Sequence, residues 1–272
     1  MADLIFANKA VREARQGADF QLKFPAGIDM TKAAVVIMCD SGHTNGNPES
    51  DEIARYRSIG GHFLMVADES FARGDMALAT IMAYKSCSTQ RVCRSTLAAE
   101  AAHLADSLEA SEWLAVCIEE AMQPELDLKN WQSVVQARQR FFMTDAKSVY
   151  DYVNLDGTSL SKDKRMAIEG ALLKEGMRQP KTELKWIDGL QNISDILTKD
   201  GADMEYFRKF LQDNKVSWTQ DPASMQIKER KRAARGRRKE AQSDQKDLKK
   251  QERRSATAER LKAADLDKDD SS

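Results

Sequence analysis

Residues 3–16 carry apolar positions at helical spacing, and 19–24 (DFQLKF) alternates like a short strand before Pro25-Ala26-Gly27 breaks the run. From Ala33 to Cys39 the chain is apolar without interruption, short and rich in valine. That pattern predicts a central strand covered on both faces. A polar loop follows (SGHTNGNPESDE). Residues 58–67 (SIGGHFLMVA) and 77–84 (ALATIMAY) read as two further strands joined by DESFARGD, and the spacing predicts an antiparallel meander.

The period then changes. Leu97, Ala101, Leu104, Leu108, Ala115, Ile118 and Met122 recur at intervals of three, four or seven, which is one face of a long helix over 95–122. Ser95 or Thr96 can cap its start, and Pro124 lies just beyond its end. After a polar connection, 140–144 (RFFMT) predicts a fourth strand and 145–153 a short helix. Residues 162–178 read as an amphipathic helix, 182–187 (TELKWI) as a fifth strand, and 192–198 and 204–213 as helical. Hairpin-linked strands followed by strand–helix alternation imply an α/β fold. The expectation is a five-stranded mixed sheet, its first three strands antiparallel, with helices on both faces.

Composition divides the chain into segments. The formal net charge is −1, but residues from about 226 onward are mostly charged and carry the basic surplus, so the preceding body is net acidic. This tail has almost no aromatic or β-branched residues and cannot bury enough surface to fold alone. It reads as a solvated or transiently helical tail. Alternatively, KERKRAARGRRK serves as a nuclear-import signal or a phosphate-binding patch. The expected organisation is a linker-like segment over 1–30, a domain over 31–218 and a charged low-complexity tail over 219–272. No apolar run approaches the roughly 18 residues of a membrane span. The N-terminal helix is interrupted by charge and is not a signal peptide. Cys39, Cys87, Cys93 and Cys117 form no C-x-x-C pair, and His43, His62 and His103 fall on different elements, so no zinc site is expected. Reduced cysteines and the absence of a signal peptide predict a nuclear or cytoplasmic location.

VVIMCD ends in Asp40, and RFFMTD ends in Asp145. Both are apolar strands running into an aspartate, and binding sites in α/β sheets gather at strand ends. If these strands are parallel neighbours, the two carboxylates lie side by side and imply a cation between them. Glu100 sits within or beside the inward stripe of the long helix; otherwise it is an edge residue reaching solvent or an arginine. Asp195 begins the short helix in NISDILTKD, where it either joins the other carboxylates or complements the helix dipole.

Asp, Glu, Asp, Asp, on strand 1, the first long helix, strand 4 and the last helix, resembles the ribonuclease H domain of copia-type LTR retrotransposon polyproteins. CDSGHTNG, RSIGGHFLMVAD, YKSCSTQRVCRSTLAAEAAHLADSLEASEWL, TDAKSVYDYVN and TELKWIDGLQNISDILTK carry the resemblance, over about residues 33–199. SDILTK is the most specific of these. The segment beginning ANKAVREAR is similar to the linker preceding this domain in such polyproteins. Family members usually carry an acid two places before the helix glutamate; here that residue is Ala98.

The resemblance implies a metal-dependent endoribonuclease that cleaves the RNA strand of RNA/DNA hybrids. Asp40, Glu100, Asp145 and Asp195 would be both catalytic residues and ligands of two Mg²⁺ (or Mn²⁺) ions, with Asp40 bridging them. Such ions prefer hard oxygen donors and stabilise the attacking and leaving oxygens of an in-line displacement. Arg94, Ser95, Thr96 and Lys147 are the expected backbone contacts to a substrate read by shape and 2′-hydroxyl. Each has an alternative role in capping or solvation. A reverse transcriptase encoded in the same or a related element is the implied partner. Proofreading-type exonucleases of this fold need an acid two residues after the first aspartate, where this chain has Gly42, and integrase-type transferases order their acids differently. The competing reading is a catalytically silent ribonuclease H-like module that binds nucleic acid or protein.

Overall fold

The computed structural model describes residues 2–19, 21–43, 56–154, 164–199, 201–219 and 230. Two compact units divide between Asp221 and Pro222. In the second, Arg230 is the one described residue and is exposed, so the tail and its KERKRAARGRRK segment otherwise lie outside the described residues. So does the part of the polar loop from 44 to 52.

The first unit begins with α1 (Ala2–Gln16), whose described side chains are exposed. The strands are β1 (Ala34–Gly42), β2 (Ile59–Ala67), β3 (Ala77–Ser88), β4 (Arg140–Thr144), β5 (Thr182–Trp186) and β6 (Lys215–Val216). The helices after β3 are α2 (Thr96–Met122), α3 (Trp131–Ala137), α4 (Lys147–Asn154), α5 (Lys164–Met177), α6 (Asp195–Thr198) and α7 (Glu205–Asp213). Sheet order is β5-β4-β1-β2-β3-β6. The first three strands pair antiparallel, and β1, β4 and β5 run parallel. The expected mixed α/β sheet is present.

Some elements differ from expectation. The sheet has six strands because Lys215–Val216 adds to the free edge of β3, a pairing too short for periodicity to reveal. Residues 21–24 are not a strand; the Lys23 carbonyl is instead held by the Thr80 hydroxyl and the Asn214 amide. The polar connection before β4 contains α3, which buries Val135 alone. β1 does not stop at Asp40 but continues to Gly42.

The apolar run of β1 is buried throughout, as its composition dictates. Each fully buried Val or Ile there contributes roughly 1.5–3 kcal/mol relative to exposure. Val35, Ile37 and Cys39 face α2, packing with Ala101, Leu104 and Phe142. The opposite face is covered by the segments around Phe71 and α7. Phe71 meets Phe141 edge-on at 5.2 Å, and Phe207 stacks on Phe63 at 5.6 Å. Helical elements therefore cover both faces. At the start of β4, the fully buried Arg140 bonds Gln179 at 2.6 Å and Thr182 at 2.8 Å, with Glu112 at 3.6 Å. These partners offset the cost of burying its charge.

Gly60 is required by close packing. A Cβ at that position would lie 1.6–2.0 Å from the ring of His103, which is 1% exposed. Gly60→Ala is expected to destabilise the protein by about 1–3 kcal/mol. Chemical denaturation checks this, and adding His103→Ala should recover part of the loss.

Candidate active site

Parallel pairing of β1 with β4 sets Met38 level with Met143. Two residues further along each segment stand Asp40, within β1, and Asp145, the residue after the end of β4, so the parallel register brings both carboxylates to one end of the sheet. Asp40 is only 2% exposed and lies opposite Gly61 of β2. That glycine lets α6 press against the sheet, since a Cβ on Gly61 would come within 2.5 Å of Leu197 Cβ. The Ser86 hydroxyl donates to the Leu197 carbonyl at 2.6 Å and ties α6 down from β3. The close approach brings Asp195, Thr198 and Lys199 against Asp40.

Both Asp40 oxygens are engaged. The Thr198 hydroxyl donates to Oδ2, and Lys199 Nζ lies 3.3 Å from Oδ1. Lys199 also donates to Asp195 Oδ1 at 2.6 Å, four residues back on the same face. Asp145 accepts from the Asn192 amide at 3.1 Å, and the same amide group donates to the Cys39 carbonyl at 3.0 Å. The Asn192 side-chain oxygen is in turn held by the Ser194 hydroxyl. The Trp186 indole donates to the Asp145 carbonyl at 3.1 Å. Gly189 leaves room here, because a Cβ there would stand 3.0 Å from Asp145 Oδ2.

Glu100 enters from the other side of the sheet. Ser95 caps α2 by accepting from the Ala98 amide at 3.2 Å, and Glu100 lies one turn further, buried at 7% exposure. Desolvation, then the charges of Asp40 and Asp145, push its pKa up to about 9. Desolvation also raises Asp195 to about 6, even though Lys199 opposes the shift. Asp145 moves upward by desolvation and by Asp40. These acids resist ionising together, and three of them are grouped closely enough that they could hold a metal ion.

Ligand atoms of Asp40, Asp145 and Asp195 all lie within 4.8 Å of one another. Glu100 is outside that tight group but is coupled to all three charges. The donors are hard carboxylate oxygens, which fit Mg²⁺ or Mn²⁺. The neighbouring Cys39 thiol is fully buried, and desolvation followed by the charge of Glu100 raises its pKa well above the ordinary thiol range. It remains protonated and offers no soft thiolate ligand.

The expected substrate contacts divide. Arg94, Ser95 and Thr96 are exposed at the α2 start, where Ser95 serves as the cap. Lys147 opens α4, pairs with Asp151 at 2.7 Å and lies 5.3 Å from the Tyr150 ring centre. Sequence reasoning missed Asn192, Thr198 and Lys199. The available signal was their spacing: Thr198 and Lys199 follow Asp195 by three and four residues, which puts them on one helical face.

Glu100 creates a pH dependence in the metal-free protein. Its carboxyl binds a proton more tightly folded than unfolded, so stability is greatest below pH 4.5 for this group and falls as pH rises toward about 9. Glu100→Gln is expected to flatten that decline and to exceed the unchanged protein in stability at pH 8. Urea unfolding in chelator across this range measures both.

No protein-family model matches the chain, and no curated protein is significantly similar to it. Solved structures to which the chain is similar include the N-terminal RNase H domain of a Mycobacterium tuberculosis protein, determined as a fusion with maltose binding protein. It is 16% identical, with a TM-score of 0.35 over 61% of this chain and 91% of that one. RNase H1 of the halophilic archaeon Halobacterium salinarum is 15% identical, with a TM-score of 0.34 over 65% of this chain and 98% of that one. The foamy viral protease-reverse transcriptase, in complex with RNA/DNA hybrid, is 12% identical, with a TM-score of 0.38 over 65% of this chain and 21% of that one.

Proposed function

We propose that this chain is a metal-dependent endoribonuclease of the ribonuclease H type, derived from a copia-type retrotransposon, that cleaves the RNA strand of RNA/DNA hybrids. The observation carrying this reading is the convergence of Asp40, Asp145 and Asp195 within 4.8 Å, beside the buried Glu100. These residues come from separate elements, and burying like charges together costs stability unless a cation is bound.

A divalent ion, Mg²⁺ or Mn²⁺, would be held by these carboxylates and supply electrostatic stabilisation of the reacting phosphate oxygens. The chain's own residues prepare that pocket. Asn192 orients Asp145 through Oδ1 and is itself fixed by Ser194 and the Cys39 carbonyl. The Thr198 hydroxyl directs its proton at Asp40 Oδ2. Burial makes the Glu100 carboxyl hold its proton more tightly than an ordinary carboxyl, and a bound cation would oppose that shift. Arg94, Ser95 and Thr96, exposed at the start of α2, would meet the hybrid backbone together with Lys147, at the start of α4. The basic segment after 226 would add phosphate affinity to an otherwise acidic body, and that contribution would weaken with salt. A reverse transcriptase of the same or a related element would generate the hybrid.

Incubation with a labelled RNA/DNA hybrid and Mg²⁺ or Mn²⁺ tests the reading. RNA-strand cleavage is expected from the unchanged protein and none from Asp145→Asn. Cleavage that persists in the variant would overturn the assignment, and its absence from both would favour a silent binding module. Asn192→Ala removes a hydrogen bond to Asp145 without removing a carboxylate, and should reduce cleavage or metal affinity by about 10–100-fold, the usual range for residues that orient ligands. A metal titration of the rate separates those two effects.

A further inference from the structure

We infer that Lys199, together with the Thr198 hydroxyl, is a built-in counter-ion occupying one side of Asp40, so that the substrate-free pocket takes up a single divalent ion. This rests on the metal-site reading above and concerns how many ions the pocket holds. A bridging carboxylate must offer one oxygen to each ion. Here Asp40 Oδ2 accepts the Thr198 hydroxyl, and Oδ1 lies 3.3 Å from Lys199 Nζ. An ion between Asp40 and Asp195 would meet the same ammonium on its other side, because Lys199 Nζ also bonds Asp195 Oδ1 at 2.6 Å. Mg²⁺ demands ligands at about 2.1 Å and cannot share that space with an ammonium group.

The backbone holds Lys199 in this place. Its amide donates to the Asp195 carbonyl at 3.0 Å, closing the single turn of α6. Leu197, against Gly61, and its carbonyl, bonded to Ser86, fix that turn on the sheet. Lys147 and Lys209 each make a comparable i,i+4 pair, but with one aspartate on the surface. Lys199 instead joins two carboxylates, and one of them, Asp40, is buried. Asp145 and Glu100, which Lys199 does not bond, remain with Asp40 for the one ion.

Mn²⁺ binding to the full chain, counted by calorimetry and by the free-ion paramagnetic resonance signal, tests the inference without reference to activity. The unchanged protein should bind one ion, with any second at least about 10-fold weaker. Lys199→Met should bring the second ion to within that factor of the first, and Lys199→Arg, which restores the cation, should return to one. Lys199→Met should also lower the melting temperature in chelator, because Asp40 and Asp195 lose their counter-charge. Two ions of similar affinity in the unchanged protein would overturn the inference while leaving the metal site intact, and that result needs no variant to fold. A count unchanged by Lys199→Met, in protein with native circular dichroism, would overturn it as well. No Mn²⁺ bound to any of these proteins would refute the metal-site reading itself.

Discussion

Asp40 is a carboxylate held inside a strand, nearly free of solvent, with other acids on either side. Left alone, a charge in that position would cost several kcal/mol. The surrounding structure is organised to meet this cost. β1 carries the residue at the centre of the sheet, and α6 supplies a hydroxyl and an ammonium to its two oxygens. Both oxygens of the carboxylate are thereby given a partner.

Absent side chains are as necessary as present ones. Gly61 admits α6 to the sheet, Gly189 leaves space beside Asp145, and Gly60 seats the His103 ring. At Gly60 and Gly61 a methyl group would collide with a neighbour, and at Gly189 it would press on the Asp145 carboxylate at 3.0 Å. Glu100 contributes from the opposite side, where the capped start of α2 brings an acid to the end of the sheet. Two separate layers thus meet at one pocket, and the acids entering it from both resist ionising together.

Much of the fold was legible because short apolar strands and a long amphipathic helix have distinct periods. Ala34–Gly42, Thr96–Met122 and Thr182–Trp186 differ from their expected bounds by a few residues at most. The misses share a cause. Lys215–Val216 and Trp131–Ala137 are too short or too exposed to show a period. Residues 21–24 alternate but reach the sheet through side-chain bonds to a carbonyl, not through strand pairing.

The amino-acid sequence by itself determined the central apolar strand, the order of the four acids and the faces on which Glu100 and Asp40 could lie. Local period and side-chain chemistry are enough for that. Only the tertiary structure decided that Asp145 stands level with Asp40, since parallel register depends on strands more than 100 residues apart. It also decided that Asn192, Thr198 and Lys199 complete the pocket. Their spacing marks one face of a short turn, but what that face meets depends on Gly61 and Ser86, which lie on other strands.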